Sequence, residues 1–237
     1  QLFKKKLRWS KTEKWFDCGG IGILAYAVVG NEIHVVEELL EVLKRDLNGE
    51  EYTRLLESRL RDEGYTALGI PGGTTTLMAA MMTASTEVVS MLLESGANVE
   101  SVDVMGNDAF MYASAYGRPK NLQCWLERIK DWDLGRQNTV VGGCALGLAV
   151  YMGANKLETV KVVLDAGASI EYRTFSGSSA LTNAVSNEDS DPDVVRIILE
   201  KFKSSCSPKE FASIVNYKTT STTIKWKGIY FVAKALY

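Results

Sequence analysis

The sequence predicts an all-α repeat array, and three observations carry that expectation. A glycine-led signature recurs along the chain, three of its steps lying between 33 and 36 residues. Between its copies, apolar residues fall three and four apart, as on one face of a helix. Of 237 residues, 46% are apolar and 24% charged, the balance of a soluble chain with a core to bury. The 27 basic and 29 acidic side chains leave a net charge of −2, which argues against a strongly basic nucleic-acid binder. No uninterrupted apolar run approaches the roughly 18 to 20 residues of a membrane span.

The clearest unit starts at Gly73 and continues through Leu77, Ala80, Ala84, Val88, Val89, Leu92, Leu93, Gly96, Ala97 and Val99. It resembles an ankyrin repeat without a gap, with Thr76, Met78 and Ala84 in place of the usual Pro, His and mid-repeat Gly. The opening signature recurs at Gly20 (Leu24, Ala27), Gly106 (Phe110, Ala113), Gly142 (Leu146, Ala149) and Gly177 (Leu181, Ala184). A sixth copy begins at Gly228, with Val232 and Ala235 in the Leu and Ala places. The step from Gly73 to Gly106 is 33 residues, the ankyrin period, and the next two are 36 and 35. The steps from Gly20 to Gly73 and from Gly177 to Gly228 are 53 and 51, so each contains an insertion.

The elements follow in order. A basic segment at 1–18 precedes an array at 19–237, with units near 20–43, 73–100, 106–134, 142–171 and 177–203 and a partial one at 228–237. In each unit a first helix carries small residues (Ala27, Ala80, Ala113, Ala149, Ala184) that allow close approach of its neighbours. A second helix carries the Val-Val-x-x-Leu-Leu face, and Gly96 and Gly167 stand where that helix ends in a left-handed residue. The two insertions each predict an extra helix. One lies near 50–61 behind an Asn48-Gly49 helix stop, and one near 207–217, where Ser207, Pro208 and Glu210 form a helix start. Met78, Met91 and Met111 read as core filling, whereas Met82 and Met152 fall late in the first helices.

The inventory for catalysis is poor. His34 is the one histidine, and it falls on a second helix beside Val35 and Val36, which suits a surface or packing role. The glycines near 19–22 and 142–147 lack the Lys-Ser/Thr of a phosphate loop and fit the turn into a first helix instead. Asp189, Asp191 and Asp193 lack the oxygen spacing of a calcium loop and suit a helix N-terminus. Cys18, Cys124, Cys144 and Cys206 are far apart, with no metal-ligand spacing, and read as free thiols in a reducing compartment. We expect no enzyme activity, no cofactor and no metal. The expected setting is intracellular and cytoplasmic, with nucleus or organelle left open.

Lys4, Lys5, Lys6 and Arg8, with Trp9 and Trp15, could meet nucleic acid, anionic lipid or an acidic protein surface, could serve as a nuclear-import signal, or could simply cap the first unit, which is the favoured reading. The start at Gln1 and the apolar run into Tyr237 read as cut ends of a longer protein. The resemblance implies an ankyrin-repeat solenoid of stacked helix-turn-helix units with short hairpin loops. It also implies a non-catalytic scaffold or adaptor that holds a partner protein on its concave face, as a subunit of a larger assembly. The alternative is the targeting or regulatory domain of a longer enzyme or channel. Carried to this chain, the hairpin tips lie near 102–105, 130–133 and 172–175. The partner-binding residues are then Met82, Tyr116, Trp132, Tyr151, Met152, Tyr172, Arg173 and Phe175.

Overall fold

Gly73, Gly106 and Gly177 each lead into a helix with a free amide of its first turn met by a nearby side chain. Thr75 Oγ1 accepts from the Met78 amide at 3.3 Å, and Met78 Sδ, a weak acceptor, takes the Thr75 amide at 3.4 Å. Methionine thus fills the return half of the capping box. Asp108 Oδ1 accepts from the Met111 amide at 2.8 Å and Ser179 Oγ from the Thr182 amide at 3.2 Å. The computed structural model describes residues 22–59, 72–186 and 190–216. The expected basic segment 1–18 with Cys18, the turn glycine Gly20, Asp189 and the partial unit 228–237 lie outside them, as do the far ends of both insertions.

Among the described residues there are twelve α-helices and no strand. The first helices of the units are α1 (Ile23–Val29), α4 (Thr76–Thr83), α6 (Ala109–Ala115), α8 (Ala145–Met152) and α10 (Ala180–Ser186). The second helices are α2 (Ile33–Asp46), α5 (Thr86–Glu94), α7 (Pro119–Arg128), α9 (Lys156–Asp165) and α11 (Pro192–Ser205). The long intervals contain α3 (Gly49–Leu56) and α12 (Pro208–Val215). First helices pack in sequence, α1 on α4, α4 on α6, α6 on α8 and α8 on α10; second helices do the same from α2 through α11. The molecule is therefore an ankyrin-type solenoid with two rows of helices.

The alanine row explains the first layer. Ala27, Ala80, Ala113, Ala149 and Ala184 are all buried, with Leu24, Leu77, Phe110, Leu146 and Leu181 beside them. In the second row Val89, Leu122 and Val160 are fully buried between neighbouring helices. Such side chains are worth roughly 1.5–3 kcal/mol each on burial. Helix ends follow the same logic. Gly96 has φ +88° and Gly167 φ +98°. In both, the following alanine amide reaches back five residues, Ala97 to the Leu92 carbonyl at 3.0 Å and Ala168 to Val163 at 3.2 Å, which closes the helix.

The Asn48-Gly49 pair plays a different part from the expected helix stop. α2 ends at Asp46, and Asn48 caps α3: its side chain accepts from the Glu51 amide at 3.0 Å while Glu51 reaches back to the Asn48 amide. Asparagine is as good a helix start as a stop, and Glu three residues on decides for the start. Ser207 and Glu210 cap α12 in the same way. The segment after α3 is fastened to the next unit. Glu57 accepts from the Asn98 amide at 2.7 Å, and Arg59 donates to the carbonyls of Gly73 and Val102.

Candidate interaction surface

Between units the chain makes a tight hairpin whose last residue is a glycine with positive φ: Gly73 (+74°), Gly106 (+77°), Gly142 (+68°) and Gly177 (+78°). The hairpins are joined by a backbone ladder. The carbonyls of Gly72, Met105 and Val141, each just before a turn glycine, accept from the amides of Val104, Thr139 and Phe175 in the next hairpin. The contact is close enough to require glycine. A Cβ on Gly106 would lie 2.9 Å from the Thr139 amide nitrogen, and one on Gly142 would lie 2.7 Å from the Phe175 ring.

A buried polar cluster stiffens this edge from below. Asp103 accepts from the amides of Met105 and Asn107, both at 2.8 Å, from Asn107 Nδ2 and from the Tyr112 hydroxyl. Asn138 Nδ2 donates to Asn107 Oδ1 at 3.0 Å, so the cluster crosses from one unit to the next. Burial, then the Asp103 charge, pushes the Tyr112 hydroxyl far above its usual range, so it stays a donor. Beside it, Arg136 lies 2.6 Å from Glu100 and 3.4 Å from Asp108, with its guanidinium over the Trp132 ring. Burial raises the Asp108 carboxyl to about 6, against the opposing Met111 amide and Arg136 charge.

With the backbone held this way, certain tip side chains point to solvent. Val104 is 56% exposed, Val140 54% and Phe175 68%. Each stands two residues before its turn glycine. Val104 falls inside the tip expected at 102–105 without being named there as a contact, and Val140, whose turn is one residue longer than its neighbours, was missed. Single exposed apolar residues are ordinary, but these three stand on successive hairpin tips and form a row: by the backbone ladder Val104 and Phe175 are equivalent, and Val140 follows their counterpart Thr139 in a turn one residue longer.

The eight residues expected to bind a partner fare differently. Phe175 is on the exposed row. Tyr116, Tyr151 and Met152 are half-buried at or just past the ends of α6 and α8, and burial lifts the Tyr116 hydroxyl to about 12. Met82 is fully inside: α4 lies between α1 and α6, and every residue from Thr76 to Met82 is buried, so Met82 offers no surface. Trp132 is not on a hairpin tip. The tip of that unit is 138–141, and Trp132 follows α7, edge-on to Trp125 at 5.0 Å between ring centres. The longer loop before Gly142 displaces the tip from 130–133, where counting forward from the helix puts it. Tyr172 is a packing residue. Its hydroxyl receives Asn183 Nδ2 at 3.2 Å and rests where Gly147 leaves room in α8. Arg173 folds back to the carbonyls of Glu171 and Tyr172.

His34 is almost fully exposed, 3.8 Å from Glu37 on its own helix, with no nucleophile beside it in α2. Among the described residues no group of three or more His, Cys, Asp or Glu could hold a metal ion, and Cys124, Cys144 and Cys206 are free thiols. Asp191 caps α11, accepting from the Asp193 amide at 2.8 Å. Among the described residues no helix is long and apolar enough to cross a membrane.

Comparison with known proteins agrees with the geometry. The family model for the ankyrin repeat matches residues 72–104. The chain is an ankyrin-repeat protein. It is 30% identical over 174 residues to the nuclear factor NF-kappa-B p105 subunit of Gallus gallus; the match covers 73% of this chain and 16% of that protein. The chain thus spans a small part of the length of this relative. Ankyrin repeats are in general protein–protein interaction modules and typically non-catalytic.

Proposed function

We propose that this ankyrin-repeat chain is a non-catalytic scaffold or adaptor that holds a partner protein along its hairpin edge. The exposed row of Val104, Val140 and Phe175 carries the reading. Tyr116, Tyr151 and Met152 extend the contact onto the first helices, and Trp132, Tyr172 and Arg173 hold the loops in shape. Aromatic side chains backed by a rigid frame lose little freedom on binding, which favours them as anchors. The free thiols suit the intracellular, cytoplasmic setting we infer. In a second reading the same surface serves as the regulatory or targeting domain of a longer enzyme or channel; the relative supports only that such an array can stand within a longer protein.

The test is a triple variant, Val104→Ser, Val140→Ser and Phe175→Ala, used as bait beside the native chain. Proteins retained by the native bait, identified by mass spectrometry, should be lost from the variant while its melting stays close to native. Undiminished retention would refute the edge assignment.

A further inference from the structure

Charge is divided between the two rows of helices. The first helices α1, α4, α6, α8 and α10 carry no Asp, Glu, Lys, Arg or His, whereas each second helix, α2, α5, α7, α9 and α11, carries at least two. The hairpin tips share the uncharged side. Over 102–106, 137–142 and 173–177 the charged residues are Asp103, which is buried and hydrogen-bonded, and Arg173, which donates to the carbonyls of Glu171 and Tyr172. The tip amides are spent as well. Those of Val104, Thr139 and Phe175 form the ladder between hairpins, and those of Gly106, Gly142 and Gly177 close their own turns onto Asp103, Asn138 and Thr174.

We infer that the partner of this edge presents an amphipathic α-helix, laid along the row with an uncharged apolar seam against Val104, Val140 and Phe175. The inference rests on the reading of that row as the contact edge. The hairpins follow the helix rows one to one, so their tips recur at the distance of packed helices, roughly 8–10 Å. Seven residues of α-helix advance about 10.5 Å and return to the same face, so side chains at i, i+7 and i+14 meet three successive tips. A strand repeats its face at about 6.6 and 13 Å and falls out of step. It would also need a run of free amides to pair with, and the six tip amides are taken. A polyproline II segment repeats its face every ~9 Å, near the tip spacing, but its solvated carbonyls would find no donor among those amides. A helix satisfies its own backbone and asks only for apolar contact. A charged seam would lose its water here without gaining a counter-charge.

The test is a selection from random displayed peptides of about twenty residues, long enough for three seam positions. They are captured on the whole native chain and depleted on the Val104→Ser, Val140→Ser, Phe175→Ala variant. Row-dependent peptides should carry uncharged apolar residues at three-, four- and seven-residue spacing and be helical by circular dichroism when bound. Proline placed in mid-peptide, off the seam, should weaken them by about ten-fold or more, because it breaks the helix without removing a contact. Raising salt from about 0.05 to 0.5 M should not weaken them. Row-dependent peptides of alternating or proline-rich pattern would overturn the helix and leave the edge reading standing, and a ten-fold loss in salt would overturn the uncharged seam. Peptides that bind native chain and variant alike, or the absence of any row-dependent peptide, would sink the edge reading and this inference with it.

Discussion

Substituting two glycines that share a left-handed backbone separates the cost of conformation from the cost of contact between units. Gly96 ends α5 with φ +88°, and a Cβ there would meet nothing within 4 Å. Gly117 follows α6 with φ +62°, but its Cβ would lie 2.6 Å from the Asn155 nitrogen and 2.7 Å from the Ala154 nitrogen in the next unit. Both atoms are backbone, so no side chain can turn aside. Gly117 is also gripped by that unit, its carbonyl accepting from Asn155 Nδ2 at 2.9 Å. Gly96→Ala should cost only the left-handed term, about 1–2 kcal/mol. Gly117→Ala adds an overpacking term of about 1–3 kcal/mol. Urea unfolding followed by circular dichroism measures both. The α6–α9 packing argument is wrong if Gly117→Ala shifts the midpoint no further than Gly96→Ala.

Three further outcomes follow from the packing and the buried carboxylate. Leu92→Ala and Leu164→Ala remove core side chains that are 0% and 3% exposed and should each cost about 2–5 kcal/mol in the same assay; native-like unfolding would count against the register assigned here. Asp108 holds its proton more tightly folded than unfolded, so its contribution to stability is complete below about pH 3.8 and is lost as pH rises through about 6, a change of roughly 3 kcal/mol. Asp108→Asn keeps a capping oxygen and should flatten that part of the stability profile, which unfolding at pH 4, 5 and 7 would show. Phe175→Ala alone should leave melting nearly unchanged, because the ring is 68% exposed, while weakening any partner that isothermal titration detects.

The helix pairs were legible because their signal is local. Val88, Val89 and Leu92 lie on one helical face, and the glycine period repeats that face in every unit. Ser207, Pro208 and Glu210 likewise carry a complete helix start within four residues. What escaped the sequence depends on neighbours distant along the chain. Met82 has the position of a surface residue within its own repeat, and only the packing of α4 between α1 and α6 buries it. Gly147 reads as one more turn glycine until the Tyr172 hydroxyl is seen to occupy the space that a side chain would take. Trp132 resembles a tip aromatic by distance from α7, but its contacts are Trp125 and Arg136.

The hairpin edge shows why the binding residues of such an array are harder to read than its fold. The carbonyls of Gly72, Met105 and Val141 and the amides of Val104, Thr139 and Phe175 hold the edge through backbone atoms, which any side chain supplies equally well. Asp103 and Asn138 hold the turns from beneath and are buried, so they are constrained by hydrogen bonding. The side chains two places before each turn glycine satisfy neither demand. They are fixed in position without being fixed in identity, so valine and phenylalanine there are choices the fold does not force. A solvent-exposed phenylalanine stabilises little where it stands, and its simplest physical explanation is a partner surface that buries it.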